Sequence, residues 1–175
     1  MKIQSKVLVF IIAFVLLFAC DRLSKDIAKD HLRGKETISY LHDTFRLEYV
    51  ENTGAFLSLG SELSDGVSRW VFIILPLVVL AILGVYIIRN RGKMSMVIYF
   101  ALILVLVGGL GNLTDRIFFN RHVTDFLNVG IGNLRTGIFN LADLYVTTGV
   151  IMLLLFSKKS DGGGWFQKKR TAESN

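Results

Sequence analysis

The sequence predicts an all-α membrane protein with four transmembrane helices and a small extracytoplasmic β-sheet. Its 175 residues are 52% hydrophobic, and the mean hydropathy of +0.51 is too apolar for an ordinary soluble domain of this length. Four apolar runs stand out: Val7–Cys20, Trp70–Ile88, Met94–Thr114 and Thr136–Ser157. About 20 residues span a bilayer core of about 30 Å, so the last three runs are long enough alone.

The first run, with only 14 residues, is short unless its helix continues through the charged residues that follow. Asp21 and Lys25 are four residues apart, on one helical face, where opposite charges pair. We therefore predict that they belong to the first helix. An alternative interpretation is a lipoprotein signal peptide that ends at Cys20. Three further apolar runs and the bulky Phe18 make this less favoured.

The net charge of +6 follows membrane topology. Basic residues precede the first run, fill the link at 89–93 and follow the fourth run. If the chain crosses the membrane four times, these three places lie on the same side of the membrane. The positive-inside rule predicts that this side, with both termini, is cytoplasmic. The segment 21–69 carries seven basic and nine acidic residues and lies outside, as does the 115–135 loop. Membrane lipids, and not nucleic acid, are the expected counter-charge.

We predict one four-helix domain over residues 1–157, with an extracytoplasmic segment at about 26–69. The basic tail at 158–175 is predicted to be disordered and cytoplasmic, since it opens on the Gly-rich stretch 160–164. Within the outer segment, Thr37–Leu59 is rich in β-branched and aromatic residues, which favours a small antiparallel sheet on the membrane surface. Asn52–Gly54 is a turn signal.

The sequence predicts no metal site and no other cofactor. Cys20 is the only cysteine, so a disulfide within the chain is impossible. The three histidines, His31, His42 and His122, have no spacing typical of metal ligands.

Asp143 is the only charge in the fourth run. A carboxylate at the centre of a membrane helix costs about 2.5–3.5 kcal/mol, so such a residue indicates function. Asp143 lies 15 residues before Lys158, and Asp21 lies 15 residues after Lys6. At the helical rise, both sit about 22 Å from the cytoplasmic boundary and about 8 Å below the outer one. Asp115 ends the third run near the same height.

The Asn-Leu-x-Asp pattern occurs twice, as Asn112 to Asp115 and as Asn140 to Asp143. The spacing puts the amide and the carboxylate on one helix face. Two carboxylates in a low-dielectric site share a proton, as in aspartic proteases. The repeated pattern nominates Asp115 as the partner of Asp143. Asp125, in the loop between the last two runs, is a further candidate.

Five blocks of sequence, in order and separated by the apolar runs, carry a resemblance to a known family. They are Asp21–Lys25, Asn52–Phe56, Gly108–Arg116, Val123–Phe126 and Phe139–Asp143. Along nearly its whole length the chain resembles lipoprotein signal peptidase, the type II signal peptidase of bacteria.

The resemblance implies an intramembrane aspartyl endopeptidase of the bacterial cytoplasmic membrane, with its active site near the extracytoplasmic face. Its partners would be membrane lipids and diacylglyceryl-modified prolipoproteins, cleaved just before the lipidated cysteine, and the enzyme would be a monomer. The family's catalytic pair corresponds to Asp125 and Asp143, in place of Asp115. Substrate-binding or supporting roles are implied for Asp21, Lys25, Asn52, Gly54, Asn112, Asp115, Arg116, Asn140 and Ala142.

Among these, Asp115 is expected to pair with Arg116 or to hold the loop that presents Asp125. Asn112 and Asn140 are expected to orient the carboxylates or to bind substrate backbone, and Lys25 to hold Asp21. The chain departs from the family pattern at Ala55–Leu57, which is one alanine short, and in a slightly long loop before Asp125.

Two other classes of protein remain as alternatives. A small transporter or proton-coupled channel also uses intramembrane aspartates, but it would place acids through the full depth of the bilayer. Here the cytoplasmic halves of the runs lack acidic residues. A structural membrane subunit or lipoprotein would need no intramembrane aspartate.

Overall fold

The structure, a computed structural model, describes residues 3–54 and 64–156. Its helices are α1 (Ile3–Leu32), α2 (Asp65–Arg69), α3 (Leu75–Asn90), α4 (Met96–Phe118) and α5 (Leu141–Phe156). A π-helical turn, Trp70–Ile74, joins α2 to α3. The strands are β1 (Ile38–Tyr40), β2 (Phe45–Asn52), β3 (Val123–Ile131) and β4 (Leu134–Arg135). The predicted fold class, apolar helices with a small antiparallel sheet, is confirmed.

In the part of the chain that the structure describes, four apolar helices make up the body of the protein. Three of them, α1, the continuous helix Asp65–Asn90 and α4, are long and apolar enough to cross a membrane. The fourth, α5, is also apolar and has 16 described residues. Helix α1 runs past Asp21 and Lys25, as their spacing predicts. The chain is therefore a multi-pass membrane protein.

The fourth apolar run was predicted to be helical from Thr136, and this boundary is wrong. Residues 136–139 extend along β3 instead, where the backbone N of Phe139 donates to the carbonyl of Leu127 at 2.8 Å. Helix α5 begins only at Leu141, so Asp143 lies in its first turn. The predicted tail at 158–175 and the departure at Ala55–Leu57 lie outside the described residues.

The antiparallel sheet has the strand order β1-β2-β3-β4. Strands β1 and β2 lie in the stretch that the composition favours for a sheet. Strands β3 and β4 come from residues 123–135, which were predicted as a loop, so Asp125 lies on a strand and not in a turn. The sheet therefore joins the segment after α1 to the segment between α4 and α5.

Helix α4 forms the centre of the helical body, and Ile103 and Val107 on it are fully buried. Small residues let α4 and α5 approach closely, as is common between membrane helices. A Cβ added at Gly149 would lie 2.6 Å from the backbone O of Ala101. A Cβ at Gly108 would overlap the backbone O of Ala142, the residue next to Asp143. This close packing fixes the start of α5 against α4.

We predict that Gly149→Ala destabilises the protein by about 1–3 kcal/mol, because α5 must move away from the α4 backbone. Gly84→Ala is the matched control, since a Cβ at Gly84 meets nothing within 4 Å. That change should be neutral or stabilise helix α3 by about 0.5–1 kcal/mol. Thermal denaturation in detergent measures both. Equal melting temperatures for the two variants would show that the helix contact is not tight.

Candidate active site

Helix α5 begins with two reciprocal hydrogen bonds between Asn140 and Asp143. Oδ1 of Asn140 accepts from the backbone N of Asp143 at 3.0 Å, and Oδ2 of Asp143 accepts from the backbone N of Asn140 at 3.0 Å. This is a capping box built from an asparagine and an aspartate. Because it satisfies two backbone donors at the helix terminus, it sets the helix start at Leu141 and orients the Asp143 carboxylate.

Asn112 holds the second oxygen of Asp143. Its Nδ2 donates to Oδ1 of Asp143 at 2.8 Å, while its own Oδ1 accepts from Nζ of Lys25 at 2.9 Å. An ammonium group can only donate, so Lys25 determines which end of the amide faces Asp143. The Asp143 carboxylate is thus oriented from both sides by N–H donors.

Asp125 lies on β3 and accepts hydrogen bonds from two asparagine side chains. Nδ2 of Asn140 donates to its Oδ1 at 2.6 Å, and Nδ2 of Asn52 donates to its Oδ2 at 3.0 Å. The residue is 3% exposed. Asn140 therefore contacts both carboxylates, Asp143 through its backbone and Asp125 through its side chain.

A β-bulge in β2 brings Asn52 to Asp125. On one side of the bulge, the register pairs Leu47 with Leu127. On the other side it pairs Val50 with Asp125, which leaves one extra residue in β2. Side chains alternate between the two faces of a strand, so the extra residue moves Asn52 to the face that carries Asp125.

The pKa of the Asp125 carboxyl is raised to about 6. Burial is the largest cause, since it disfavours the charged form. The hydrogen bond from Asn52 opposes the rise in pKa, and the nearby Asp143 carboxylate adds to it. Near neutral pH, Asp125 is therefore poised to hold or release a proton.

Lys25 lies at the centre of a buried ion network next to the two carboxylates. Its Nζ is 3.0 Å from Oδ2 of Asp21 and 2.8 Å from Oδ2 of Asp115, and each of these side chains is 1% exposed. With Asn112, the ammonium group has three acceptors for its three donors. Asp21 also accepts from the backbone N of Ala142 at 3.1 Å. The network thus ties α1 and α4 to the first turn of α5.

Asp115 faces α1, not its neighbour in sequence. Nη1 of Arg22 lies 2.5 Å from Oδ1 of Asp115. Arg116 instead donates from Nη2 to the carbonyl of Gly54 at 2.9 Å. Consecutive helical residues do not face each other, so the expected pair of Asp115 with Arg116 is replaced by the pairs with Arg22 and Lys25.

Arg116 joins α4 to the end of β2. Gly54, whose carbonyl accepts from Arg116, donates its backbone N to Oδ1 of Asn52 at 3.0 Å. The guanidinium of Arg116 also lies over the ring of Phe72 at 5.7 Å, on the π-helical turn. These contacts hold Arg116 at the edge of the site.

A cavity of about 800 Å³ opens beside the two carboxylates. Its charged and amide lining residues are Asn52, Asn112, Arg116, Asp125 and Asp143, and Thr136 and Thr147 also line it. The rest of the wall is largely apolar and includes side chains from α3, α4 and α5. The arrangement offers two carboxyl groups to a substrate whose remaining surface is apolar.

The structure therefore collects all the residues singled out by the resemblance around this cavity and the ion network beside it. It places Asp125, and not Asp115, with Asp143 on the cavity. Sequence reasoning missed Arg22 and Phe72. Arg22 lies within the Asp21–Lys25 block and could have been found there, whereas no local pattern marks Phe72.

Comparison with known proteins gives a consistent family assignment. The family model described as signal peptidase (SPase) II matches residues 13–159. The lipoprotein signal peptidase of Borrelia duttonii is 36% identical over 162 residues, which cover 89% of this chain and 94% of that protein. The lipoprotein signal peptidase of Pseudomonas aeruginosa is 40% identical over 152 residues, which cover 85% of this chain and 88% of that protein.

Two solved structures share the fold, both described as bacterial membrane enzymes studied by the in meso method. The one at 2.3 Å resolution has a TM-score of 0.75 at 24% identity, covering 89% of this chain and 92% of that one. The one at 1.9 Å has a TM-score of 0.71 at 25% identity, covering 84% and 90%. The chain therefore belongs to the signal peptidase II family, the proteases that remove signal peptides from prolipoproteins.

Proposed function

We propose that this protein is an intramembrane aspartyl endopeptidase in which Asp125 and Asp143 are the catalytic pair. Its substrates are diacylglyceryl-modified prolipoproteins, and it cleaves just before the lipidated cysteine. The observation that carries the proposal is Asn140, which binds both carboxylates at the wall of a largely apolar cavity. One residue thereby fixes the position of two carboxyl groups relative to each other.

The raised pKa of Asp125 supports its role as the protonated member of the pair. Asp143, oriented by Asn112 and Asn140, acts as the base and takes a proton from a water molecule. The water oxygen bonds to the scissile carbonyl carbon while Asp125 protonates the carbonyl oxygen. The C–N bond then breaks as the amine nitrogen receives the proton from Asp143. One hydroxyl of the tetrahedral intermediate returns its proton to Asp125, so the carboxyl product forms and both aspartates regain their starting states.

Supporting roles follow from the contacts of each residue. Lys25 neutralises Asp21 and Asp115 and sets the orientation of Asn112. Asp21 positions the first turn of α5 through its bond to Ala142. These residues act on the reaction through Asp143 and need not touch the substrate.

Asn52 and Arg116 line the cavity on the side of the sheet, and Gly54 is hydrogen-bonded to both of them. We assign them to substrate binding, because Arg116 and Asn52 line the cavity beside Asp125. An extended peptide offers carbonyl oxygens that such donors can bind.

The charge distribution supports an orientation with both termini in the bacterial cytoplasm and the site near the extracytoplasmic face. All the acidic residues of the network lie toward one end of the described helices, which favours a one-sided site over a proton path across the membrane. A signal peptide is cleaved near that surface, so it can be hydrolysed without leaving the bilayer. The enzyme acts as a monomer in contact with membrane lipids.

Purified protein should cleave a diacylglyceryl-modified prolipoprotein and leave the unlipidated precursor of the same sequence uncut. The acyl chains contribute about 0.8 kcal/mol per buried CH₂ to recognition. A gel-shift assay with the two substrates in parallel measures this difference. Equal cleavage of both substrates would show that the enzyme does not recognise the lipid. Cleavage of neither substrate would contradict the proposed activity.

The value of kcat/KM should fall as the pH rises through about 6, because Asp125 loses its proton there in the free enzyme. Asn52→Ala should move the midpoint of this fall to higher pH, since the hydrogen bond from Asn52 lowers the pKa of Asp125. Initial rates between about pH 5 and about pH 8 give both midpoints. A value of kcat/KM that rises with pH through this range would show that Asp125 is not the protonated member of the pair.

A further inference from the structure

A second cavity, of about 310 Å³, lies where α1, β2 and the end of α4 meet. Lys25 and Asp115 of the buried ion network contribute to its wall, and it shares no lining residue with the catalytic cavity. The proposed cleavage reaction does not use this cavity.

Its lining carries four cations from one face of α1, together with the carboxylates of Asp26, Glu51 and Asp115. Arg22, Lys25, Lys29 and Arg33 follow each other at spacings of three and four residues. Lys25 is occupied by the buried carboxylates. Arg33 lies 3.3 Å from Glu51 in an exposed pair, which contributes little.

Lys29 and Arg22 share one aromatic ring. Nζ of Lys29 lies 5.5 Å from the centroid of Phe119, and the guanidinium carbon of Arg22 lies 5.9 Å from it. Arg22 has Asp115 as its partner. Within residues 3–54 and 64–156, Lys29 forms no salt bridge. His122 also lines the cavity. An anion placed here would meet Lys29 as its main partner, because Arg22 and Arg33 already have Asp115 and Glu51.

The face of α1 that lines the cavity continues toward the N-terminus as an exposed apolar stripe. Val15 and Ile11 lie seven and eleven residues before Arg22, on the same helical face, and are 56% and 52% exposed. Lys29 lies 23 residues beyond Lys6. That separation is about 34 Å of helix, slightly more than the bilayer core of about 30 Å. Lys29 is therefore at the depth of lipid phosphates when Lys6 marks the opposite boundary. The Arg22 backbone lies seven residues, about 10 Å, deeper, but its guanidinium reaches the Phe119 ring that Lys29 also contacts.

We propose that this cavity binds the phosphate headgroup of an anionic phospholipid, whose acyl chains lie along Val15 and Ile11. The phosphodiester is held by Lys29 and Arg22, with Arg33 at the rim. The apolar stripe below the cations distinguishes this site from one for free phosphate, because a phosphate ion has no acyl chains that could pack on the stripe. The site goes beyond the proposed peptidase activity and does not depend on it.

Native mass spectrometry of the purified full-length protein in detergent tests the proposal. With equal amounts of phosphatidylglycerol and phosphatidylcholine, the wild type should retain phosphatidylglycerol preferentially. Lys29→Gln should lower the bound phosphatidylglycerol by about fivefold, the effect expected of one basic residue near a lipid phosphate. Lys35→Gln is the matched control, because Lys35 is exposed and does not line the cavity.

Arg33→Gln provides a second cavity variant with an exposed side chain, and it too should reduce phosphatidylglycerol binding relative to Lys35→Gln. Equal retention of the two lipids by the wild type would overturn the proposal. The proposal would also be overturned if Lys29→Gln and Arg33→Gln bound as much phosphatidylglycerol as Lys35→Gln. Millimolar inorganic phosphate forms a separate arm: failure to displace the lipid supports a lipid site, and displacement by phosphate alone overturns it in favour of a free-anion site.

Discussion

Replacing either Asp125 or Asp143 with asparagine should abolish peptide-bond cleavage while the protein stays folded. We expect kcat to fall by at least about 10³-fold for each variant, because an amide can neither accept the proton of the attacking water nor protonate the carbonyl oxygen. Asparagine has nearly the shape of aspartate, so packing around the site is retained. The measurement is turnover of lipidated prolipoprotein by each purified variant.

The two carboxyl groups act as a unit, so the double variant Asp125→Asn with Asp143→Asn should be no slower than the worse single variant. Melting temperature and retention of lipidated substrate on the immobilised variants serve as controls for fold and binding. Turnover by either single variant at a rate close to wild type would remove that residue from the catalytic pair.

Lys25→Met should produce the largest loss of stability of any single change considered. The Lys25 side chain is 1% exposed, and its ammonium group lies within 3.0 Å of a carboxylate oxygen of both Asp21 and Asp115. Its removal leaves two buried carboxylates with Arg22 as the remaining cation nearby. Breaking a buried pair in this way costs about 3–5 kcal/mol. Thermal denaturation in detergent measures the effect as a lower melting temperature.

Two comparisons separate this charge effect from a general sensitivity to substitution. Lys35→Met removes an exposed lysine just beyond the end of α1 and should leave the melting temperature unchanged. Adding Asp115→Asn to Lys25→Met should recover part of the loss, since it removes one of the uncompensated charges. A double variant no more stable than Lys25→Met alone would show that the two residues are not energetically coupled.

The helical part of the fold was predictable because its signals are local. Charge-free runs of about 20 residues indicate membrane helices without reference to the rest of the chain. The extension of α1 through Asp21 and Lys25 followed from their spacing alone. The equal height predicted for Asp21 and Asp143 agrees with the structure, where Oδ1 of Asp21 accepts from the backbone N of Ala142. Their depth in the membrane stays a prediction.

The sheet was only half predicted, because its second half depends on distant partners. Residues 123–131 were assigned to a loop, although they pair along β2 and bridge to Phe139. The same pairing draws residues 136–139 out of the predicted helix. The contact of Asn52 with Asp125 also depends on a one-residue bulge, which no local pattern in β2 marks.

The repeated Asn-Leu-x-Asp pattern illustrates why the partner of Asp143 was ambiguous from residues alone. The two copies have equal spacing but different backbone contexts. The copy that ends at Asp143 caps the start of α5, whereas the copy that ends at Asp115 lies inside α4. Only the first arrangement ties the asparagine to its own aspartate. Asp115 consequently faces the cations of α1, which the pattern could not reveal.

In the proposed mechanism, Asp125 is the second catalytic carboxyl group. Its most direct test compares turnover of lipidated prolipoprotein by Asp125→Asn and Asp115→Asn, both purified and verified as folded. We predict that Asp125→Asn is inactive with a near-normal melting temperature, whereas Asp115→Asn melts earlier yet still cleaves. A folded, inactive Asp115→Asn beside an active Asp125→Asn would contradict the account and restore Asp115 as the partner of Asp143.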